Sequence, residues 1–256
     1  MRDQLRRAAI RNRARLAPFI GLFKAIERYR AERRLRIRHP GARMIAPGDL
    51  DREIYGSSLG QDRFAIESFP PGFSGVFLDI GCNHPVVGNN SWSLERAGWT
   101  GYAFDPQSRF SQDWAECRRT PFFQAAIGAT PGVADFVEFE VREGWEHVLS
   151  GFLETADRVQ LEARPHRVVK VRTGPVASFV PELRAVDLAL IDVEGAENAV
   201  LDGLGSIRPG LIIIENNRVP GGDEDLRSRL IGNGYEFVAR LGHVDDAFLA
   251  GEQGTA

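Results

Sequence analysis

An apolar run that ends in an acidic residue and a glycine, Val-Phe-Leu-Asp-Ile-Gly-Cys-Asn at residues 76–83, most constrains the fold of this chain. A short apolar run followed by a glycine predicts a buried strand of a parallel sheet. A second apolar run follows, Gly-Tyr-Ala-Phe-Asp, and ends on Asp105. In open α/β sheets, ligands bind beyond the carboxyl ends of the strands, and an acidic residue about 20 residues on holds a ribose diol. The two runs therefore indicate a nucleoside-containing cofactor.

The glycine spacing narrows the class of cofactor. A dinucleotide pyrophosphate is typically held by G-x-G-x-x-G, but Gly81 is followed by Cys-Asn-His-Pro. A cofactor without phosphates needs no such cradle, so the pattern favours S-adenosylmethionine. A nicotinamide-dependent oxidoreductase stays open as an alternative, although the missing glycines disfavour it.

Length and composition are those of one globular enzyme domain. The chain has 256 residues, of which 43% are hydrophobic and 26% are charged, and these values suit a domain with a sizeable core. Its two cysteines, Cys82 and Cys117, have no paired spacing, so we expect neither a disulfide framework nor a zinc site. A cytoplasmic location fits this cysteine usage.

The net charge of −3 hides a split along the chain. Residues 1–38 hold 13 basic side chains against three acidic ones, a net charge of +10, which leaves −13 for the remainder. Apolar residues between Leu16 and Tyr29 recur at helical spacing, and Pro18 suits the start of a helix. We therefore predict a basic, amphipathic helical arm over residues 1–40 and an α/β domain over residues 41–256.

Three interpretations of the arm stay open. It can pack on its own domain, lie on an anionic membrane surface at the inner membrane face, or bind RNA. Nucleic acid is disfavoured because the acidic body would repel phosphates. No run reaches the roughly 18 apolar residues that a spanning helix needs, and no cleavage site of a signal peptide follows the apolar stretch of the arm.

After residue 41, apolar runs typical of strands alternate with helical ones, which predicts a parallel sheet with helices on both faces. The parallel strands are expected at residues 76–80, 102–104, 122–126, 188–191 and 211–214. Strict alternation predicts antiparallel strands at residues 133–141 and 167–172.

Acidic and amide side chains gather at the ends of the last two parallel strands. Asp192 and Glu194 follow one strand, and Glu215 and Asn216 follow the other. Carboxylates held close together are costly unless a positive group lies between them, and helix capping explains one such acid better than several. Asp192, Glu215 and Asn216 are therefore predicted ligands of a hard divalent cation, Mg²⁺ or Mn²⁺.

Taken in order, these motifs resemble the FkbM-type class I methyltransferases. The matching elements are Ser58-Leu-Gly60-Gln61-Asp62, Phe-Leu-Asp79-Ile-Gly81-Cys-Asn83-His-Pro85, Asn89-Asn90-Ser91, Gly98-Trp-Thr-Gly-Tyr-Ala-Phe-Asp105-Pro106, Leu-Ile-Asp192-Val-Glu194-Gly195-Ala-Glu197 and Gly242-His-Val-Asp245-Asp246-Ala-Phe. The resemblance implies a Rossmann-like fold with a seven-stranded, mostly parallel sheet. It also implies S-adenosylmethionine-dependent O-methylation of a hydroxyl on a sugar, glycan or polyketide. Asp105 departs from the family's frequent glutamate, a change that should keep the ribose contact.

The resemblance also implies which residues bind the cofactor. They are Asp79, Gly81, Asn83, Asp105, Ala126 and Gln61. Among these, Asp105 would hold the ribose hydroxyls and Ala126 would flank the adenine. Gln61 would anchor the methionine end.

Methyl transfer requires an in-line approach of the acceptor oxygen and removal of its proton. A cation near Asp192 would lower the pKa of a sugar hydroxyl; without a cation, Asp192 would position the cofactor or the base. Glu194 is the expected base, and Asp192 and His84 are further catalytic candidates, although a histidine before a proline is also typical of a structural turn. A noncatalytic cofactor-binding or membrane-docking protein with this fold stays open as an alternative.

Overall fold

The computed structural model describes residues 56–141, 150–154, 156–216 and 223–251, together with Ile37 and a short strand at residues 43–45. The chain divides into two compact units. The larger contains Arg43–Ala134 and Lys170–Ala256, and the smaller contains Asp135–Val169 and, from the region of the predicted arm, the described Ile37. The rest of the arm predicted over residues 1–40 lies outside the described residues, and its boundary stays a prediction.

The described residues form strands and helices in alternation. The strands are β1 (Arg43–Ile45), β2 (Val76–Ile80), β3 (Thr100–Phe104), β4 (Phe122–Phe123), β5 (Ala126–Ile127), β6 (Gly132–Phe139), β7 (Gly151–Phe152), β8 (His166–Gly174), β9 (Leu188–Ile191), β10 (Leu211–Glu215), β11 (Tyr235–Leu241) and β12 (Asp245–Ala250). The α-helices are α1 (Gln61–Glu67), α2 (Trp92–Arg96), α3 (Ser111–Cys117), α4 (Arg158–Ala163), α5 (Glu197–Gly203) and α6 (Asp223–Gly232). Short 3₁₀ helices cover Ser108–Phe110 and Val176–Ser178. No helix among these is both long and apolar enough to cross a bilayer.

The sheet of the larger unit has the strand order β1-β11-β12-β10-β9-β2-β3-β4. Strand β12 runs antiparallel to both of its neighbours, and the other adjacent strands pair in parallel. The seven strands from β11 to β4 confirm the predicted seven-stranded, mostly parallel sheet. Strand β1 adds an eighth strand at the edge, beside β11.

The central strands are buried along their whole length. Every residue of β9 and of β10 is buried, as expected for uninterrupted apolar runs in a parallel sheet that is covered on both faces. Phe64, Trp99 and Leu190 belong to one buried cluster that packs on this sheet. Gly101 in β3 is required by close packing, since a Cβ there would lie 2.4 Å from the backbone oxygen of Phe77.

The connections of the sheet change direction between β2 and β9. From β2 the chain proceeds outward to β3 and β4, whereas from β9 it proceeds the other way to β10. Ligands of open α/β sheets bind at such a switch point, beyond the carboxyl ends of the strands. The loops after residues 80, 104, 191 and 215 therefore face the expected ligand edge.

Outside this sheet, the strands are shorter and partly antiparallel. In the smaller unit, β6 pairs antiparallel with β7 through Phe136 and Phe152, and Arg167 forms an ion pair with the buried Glu138. In the larger unit, β5 pairs in parallel with the end of β8. The strand expected at residues 122–126 is thus divided into β4 and β5. The chain leaves the eight-stranded sheet after Phe123, and at Ala126 it pairs with β8 instead.

Candidate active site

Gly81 lies where the loop after β2 meets the loop after β9. Its φ is 83°, and a Cβ there would lie 1.8 Å from the backbone oxygen of Asp192. Its N–H donates to the backbone oxygen of Phe104, 2.8 Å away at the end of β3. Only glycine combines this backbone conformation with this close approach. The turn thereby holds the carboxyl ends of β2, β3 and β9 together.

Asp105 lies against the loop that Gly81 begins. One of its carboxylate oxygens accepts the backbone N–H of Asn83 at 2.9 Å, and the other accepts the backbone N–H of Gln107 at 2.8 Å. The residue is 3% exposed, and Asn83 has a positive φ of 52°. The structure thus brings three of the sequence-predicted cofactor residues, Gly81, Asn83 and Asp105, to one edge of the sheet.

Asp79 supports the same loop from the buried strand β2. Its Oδ2 accepts the hydroxyl of Ser91 at 2.6 Å and the side-chain amide of Asn89 at 3.4 Å. Burial raises the pKa of Asp79 to about 6, against the hydrogen bonds from Ser91 and Asn89 and the charge of Arg118, which lower it. The carboxyl group of Asp79 is therefore bonded to side chains that shape the loop.

Arg118 is a buried residue of this region that the sequence analysis missed. Its side chain is 1% exposed. It donates hydrogen bonds to the backbone oxygen of Pro85, to Oδ1 of Asn89 and to the carboxylate of Glu95. It also donates to the backbone oxygen and the hydroxyl of Ser91. These five bonds match the five N–H groups of a guanidinium, which also lies 4.5 Å from the centre of the Trp114 ring. Arg118 therefore holds residues 85–91 in one conformation.

His84 takes part in the turn that follows Asn83. Its Nδ1 accepts the backbone N–H groups of Val86 and Val87 at 3.1 and 3.0 Å. A neutral imidazole whose Nδ1 accepts must carry its proton on Nε2. The ring can therefore donate to a ligand through Nε2, but it can take up a proton at Nδ1 only by breaking the two bonds of the turn.

Three acidic side chains converge at the ends of β9 and β10. One carboxylate oxygen each from Asp192, Glu194 and Glu215 lies within 4.8 Å of the others. The strands β9 and β10 are parallel neighbours, which is why their ends deliver Asp192 and Glu215 to the same place, and Glu194 follows in a turn with φ of 57°. Burial and the charges of Glu215, Asp245 and Glu194 raise the pKa of Asp192 well above its usual value.

Glu215 of this group and the nearby Glu197 are buried, and each keeps one carboxylate oxygen without a hydrogen-bond partner in the described part of the chain. These oxygens are the Oε2 atoms of Glu197 and Glu215, in residues that are 1% and 6% exposed. The other oxygen of Glu197 accepts the backbone N–H of Gly195 at 2.9 Å. Because buried polar atoms are normally paired, these oxygens suit a cation or a hydroxyl donor on a ligand.

Asn216 lies one residue beyond β10 and is fully buried. Its side-chain amide donates to Asp246, which also forms ion pairs with Arg227 and Arg240. Among the described residues, the acidic group that could hold a cation consists of Asp192, Glu194 and Glu215, so Glu194 joins two of the predicted ligands. The third predicted ligand, Asn216, follows Glu215 in sequence, and its side-chain amide is bonded to the ion pairs of Asp246.

Gln61, at the start of α1, reaches the acidic end of the site. Its Nε2 donates to Asp245 at 2.7 Å, and Asp245 is paired with Glu215 in the register of β10 and β12. Burial and the charge of Glu215 raise the pKa of Asp245 to about 7, although Arg240 and the hydrogen bond from Gln61 lower it. Asp245 is thus a further carboxyl group at this edge, one that the sequence analysis quoted only as part of a motif.

Ala126 is buried in β5 and pairs with Thr173. The segment just before it adjoins the loop after β3. The Gln124 side chain donates to the backbone oxygen of Pro106 at 3.5 Å, and the Asp105 N–H donates to that of Phe123 at 3.2 Å. The chain that leads to Ala126 therefore lies beside the Asp105 loop.

Comparison with known families agrees with this geometry. The family described as "Methyltransferase FkbM domain" matches residues 79–237, more than half of the chain. The chain belongs to the FkbM methyltransferase family. No curated protein and no solved structure matches it.

The FkbM match covers most of the site. It begins at Asp79 and extends into β11, so it includes the Gly81 loop, Asp105, the acids after β9 and the acid at the end of β10. Gln61 and Asp245 lie outside the matched residues. The sequence analysis missed the contacts of Arg118. No local pattern predicts that Arg118 is buried, because the neighbouring Arg119 is also an arginine and is exposed.

Proposed function

We propose that this methyltransferase uses S-adenosylmethionine to methylate a hydroxyl group of a sugar, glycan or polyketide-type compound. The observation that carries the proposal is the division of the ligand edge into two parts. On one side of the switch point, Gly81 and Asp105 form a tight loop against a carboxylate; on the other, Asp192 and Glu215 form an acidic group. The first part suits a cofactor and the second suits an acceptor.

The cofactor part has the properties that a nucleoside without phosphates needs. Asp105 is a buried carboxyl group at the cofactor side, and each of its oxygens can accept more than one hydrogen bond, so it can bond ribose hydroxyls as well as the backbone N–H groups of Asn83 and Gln107. The absence of a side chain at Gly81 lets a ligand approach the backbone closely. When bound, S-adenosylmethionine supplies an electrophilic methyl group on its sulfonium.

The acceptor part can orient a hydroxyl and take its proton. Glu194, at the rim of the acidic group, is the proposed base, and the unpaired Oε2 of Glu215 can accept a second hydroxyl of the acceptor. Burial and the neighbouring acids raise the pKa of Asp192, so this carboxyl takes up a proton more readily than an exposed aspartate does. Two or more oxygen acceptors at fixed positions suit a polyhydroxylated compound.

The same acidic group fits a divalent cation. Asp192, Glu194 and Glu215 each offer one oxygen to a common point, and Mg²⁺ and Mn²⁺ prefer such ligands. A cation held there would neutralise charges that otherwise repel each other, and it would make a coordinated hydroxyl more acidic. Whether Asn216 joins the ligands depends on its bond to Asp246.

The cofactor proposal is tested by calorimetry with Asp105→Asn. This variant keeps the size of the side chain but removes the charge, and charge-assisted hydrogen bonds are worth about 1.5–3 kcal/mol each. We expect S-adenosylmethionine to bind at least tenfold more weakly, whereas Asp105→Glu should stay within a few-fold of wild type. The exposed Asp113→Asn serves as the control. Equal affinity of wild type and Asp105→Asn would remove Asp105 from the site, and no binding by wild type would refute the cofactor.

The cation proposal is tested with labelled S-adenosylmethionine and a panel of sugar, glycan and polyketide acceptors. Methyl transfer should stop after dialysis against chelator and return with Mg²⁺ or Mn²⁺. Glu215→Gln should need at least tenfold more cation for half activity, since a neutral amide is a weaker ligand than a carboxylate. Full activity in excess chelator would leave these acids as positioning groups and a base.

A further inference from the structure

Gln107 has a buried oxygen atom whose partner is not supplied by the described part of the chain. The residue is 5% exposed, and its side-chain Oε1 accepts no hydrogen bond there. The residue precedes the 3₁₀ helix Ser108–Phe110, yet its side chain does not cap that helix. Local structure therefore gives no reason for burying this amide.

The position of Gln107 connects it to the cofactor edge. Its backbone N–H donates to Oδ1 of Asp105 at 2.8 Å, so the two residues are held together at the end of β3. The intervening Pro106 accepts the hydrogen bond of Gln124, which leads into the segment expected to flank the adenine. Gln107 thus lies between the carboxylate proposed for the ribose and the segment proposed for the base.

A buried acceptor without a partner costs free energy, and in native proteins such atoms usually serve a ligand, an ion or a water. Two further acceptors of this edge, on Glu197 and Glu215, are carboxyl oxygens, and they lie after β9 and at the end of β10. Gln107 is neutral and lies beyond β3, on the cofactor side. A neutral acceptor suits a neutral donor, such as a ribose hydroxyl or an adenine amino group.

We propose that Gln107 is a cofactor-binding residue and that its Oε1 accepts a hydrogen bond from the adenosine part of S-adenosylmethionine. This inference rests on the proposed function, and neither the sequence pattern nor the family resemblance assigns a role to Gln107. The donor is a ribose hydroxyl or the 6-amino group, which share the same chemistry toward an amide oxygen.

The first test uses Gln107→Met, which keeps the length of the side chain and removes its polar atoms. S-adenosylhomocysteine should bind at least about fivefold more weakly to this variant, because a buried donor of the ligand loses its acceptor. The melting temperature of the ligand-free variant should equal or exceed that of wild type, since an unpaired acceptor has been removed. The exposed Gln112→Met should leave both quantities unchanged.

The second test identifies the donor with analogues of S-adenosylhomocysteine that lack the 2′-hydroxyl, the 3′-hydroxyl or the 6-amino group. The analogue without the responsible donor should bind wild type more weakly, yet Gln107→Met should weaken its binding no further. For the other two analogues, the affinity lost through the missing group should be the same in wild type and in Gln107→Met. The loss from the analogue and the loss from the substitution should then simply add.

Three outcomes would overturn the inference while leaving the proposed cofactor intact. Two concern binding: wild-type affinity in Gln107→Met, or additive losses with all three analogues. The third is a clear fall in the melting temperature of the ligand-free variant, which would show that the amide is satisfied within the protein. If wild type itself binds neither S-adenosylmethionine nor S-adenosylhomocysteine, the proposed function fails together with this inference.

Discussion

At the scale of single residues, the ligand edge is defined by carboxyl groups that differ in their surroundings. Asp105 accepts two backbone N–H groups, whereas Asp79 accepts side-chain donors and burial raises its pKa to about 6. Asp192 and Asp245 carry raised pKa values mainly because of burial, with nearby acids adding to the effect. Acids of one type therefore meet different hydrogen-bond partners and different local charges along this edge.

Asp79 makes the stability of the protein depend on pH. Its pKa in the folded protein, about 6, is above the usual 3.8, so the native state holds this proton more tightly than the unfolded chain does. The contribution of Asp79 to stability therefore falls as pH rises from about 4 to about 6. Because Asp79→Asn cannot ionise, its free energy of unfolding relative to wild type should rise by roughly 2.4 kcal/mol between pH 4 and pH 7.

Urea unfolding at several pH values measures this difference directly. The exposed Asp113→Asn should follow wild type at each pH. Parallel profiles for Asp79→Asn and wild type would show that Asp79 has the same pKa in the folded and the unfolded protein, because Ser91 and Arg118 compensate its burial.

At the scale of elements, the site depends on how closely the strand ends and their loops approach. The Gly81 turn touches the loop after β9, and Arg118, just after α3, bonds to the loop before α2. Asp62 in α1 accepts the hydroxyl of Ser93 in α2 at 2.6 Å. A few buried side chains from neighbouring elements thus fix the conformation of these loops.

Two glycines of positive φ separate the effect of backbone conformation from that of close approach. Gly72→Ala, at φ of 79° with no atom within 4 Å of the new Cβ, should cost only about 1–2 kcal/mol of stability. Gly81→Ala adds a Cβ 1.8 Å from the oxygen of Asp192, so we expect a loss above about 4 kcal/mol. Denaturant unfolding gives both values. Equal costs would mean that the ends of β2 and β9 can separate freely.

At the scale of the whole molecule, the basic arm remains a prediction, since residues 1–36 lie outside the described residues. We propose that it attaches the acidic catalytic domain to an anionic membrane surface. Each basic residue near such a surface contributes about 1 kcal/mol. The intact chain should then sediment with anionic vesicles, and less so at high salt. Removal of residues 1–38 should abolish the sedimentation with anionic vesicles and change the melting temperature of the protein little.

Neutral vesicles provide the control for that experiment. If the intact chain does not bind anionic vesicles at low salt and the truncated chain melts at a lower temperature, the arm packs on its own domain instead. Methyl transfer to a soluble acceptor should be similar in both forms if the arm acts only as an attachment.

The sequence by itself determined the inner parallel strands of the sheet and the edge at which the candidate site lies. Uninterrupted apolar runs such as Leu188–Ile191 can be buried on both faces only as inner parallel strands, and an acid or glycine directly after such a run must lie at the carboxyl edge. Hence Gly81, Asp105, Asp192 and Glu215 could be placed at that edge from local pattern alone, and the order and direction of the strands agree with that placement.

Only the tertiary structure decided which side chains those residues contact. Arg118 and Gln107 are ordinary polar residues in sequence, and they matter because folding buries them beside loops from distant parts of the chain. The same holds for the contact of Gln61 with Asp245, which lies 184 residues away. Local sequence encodes the periodicity of an element, whereas hydrogen-bond partners across elements depend on strand order and register, which no single segment specifies.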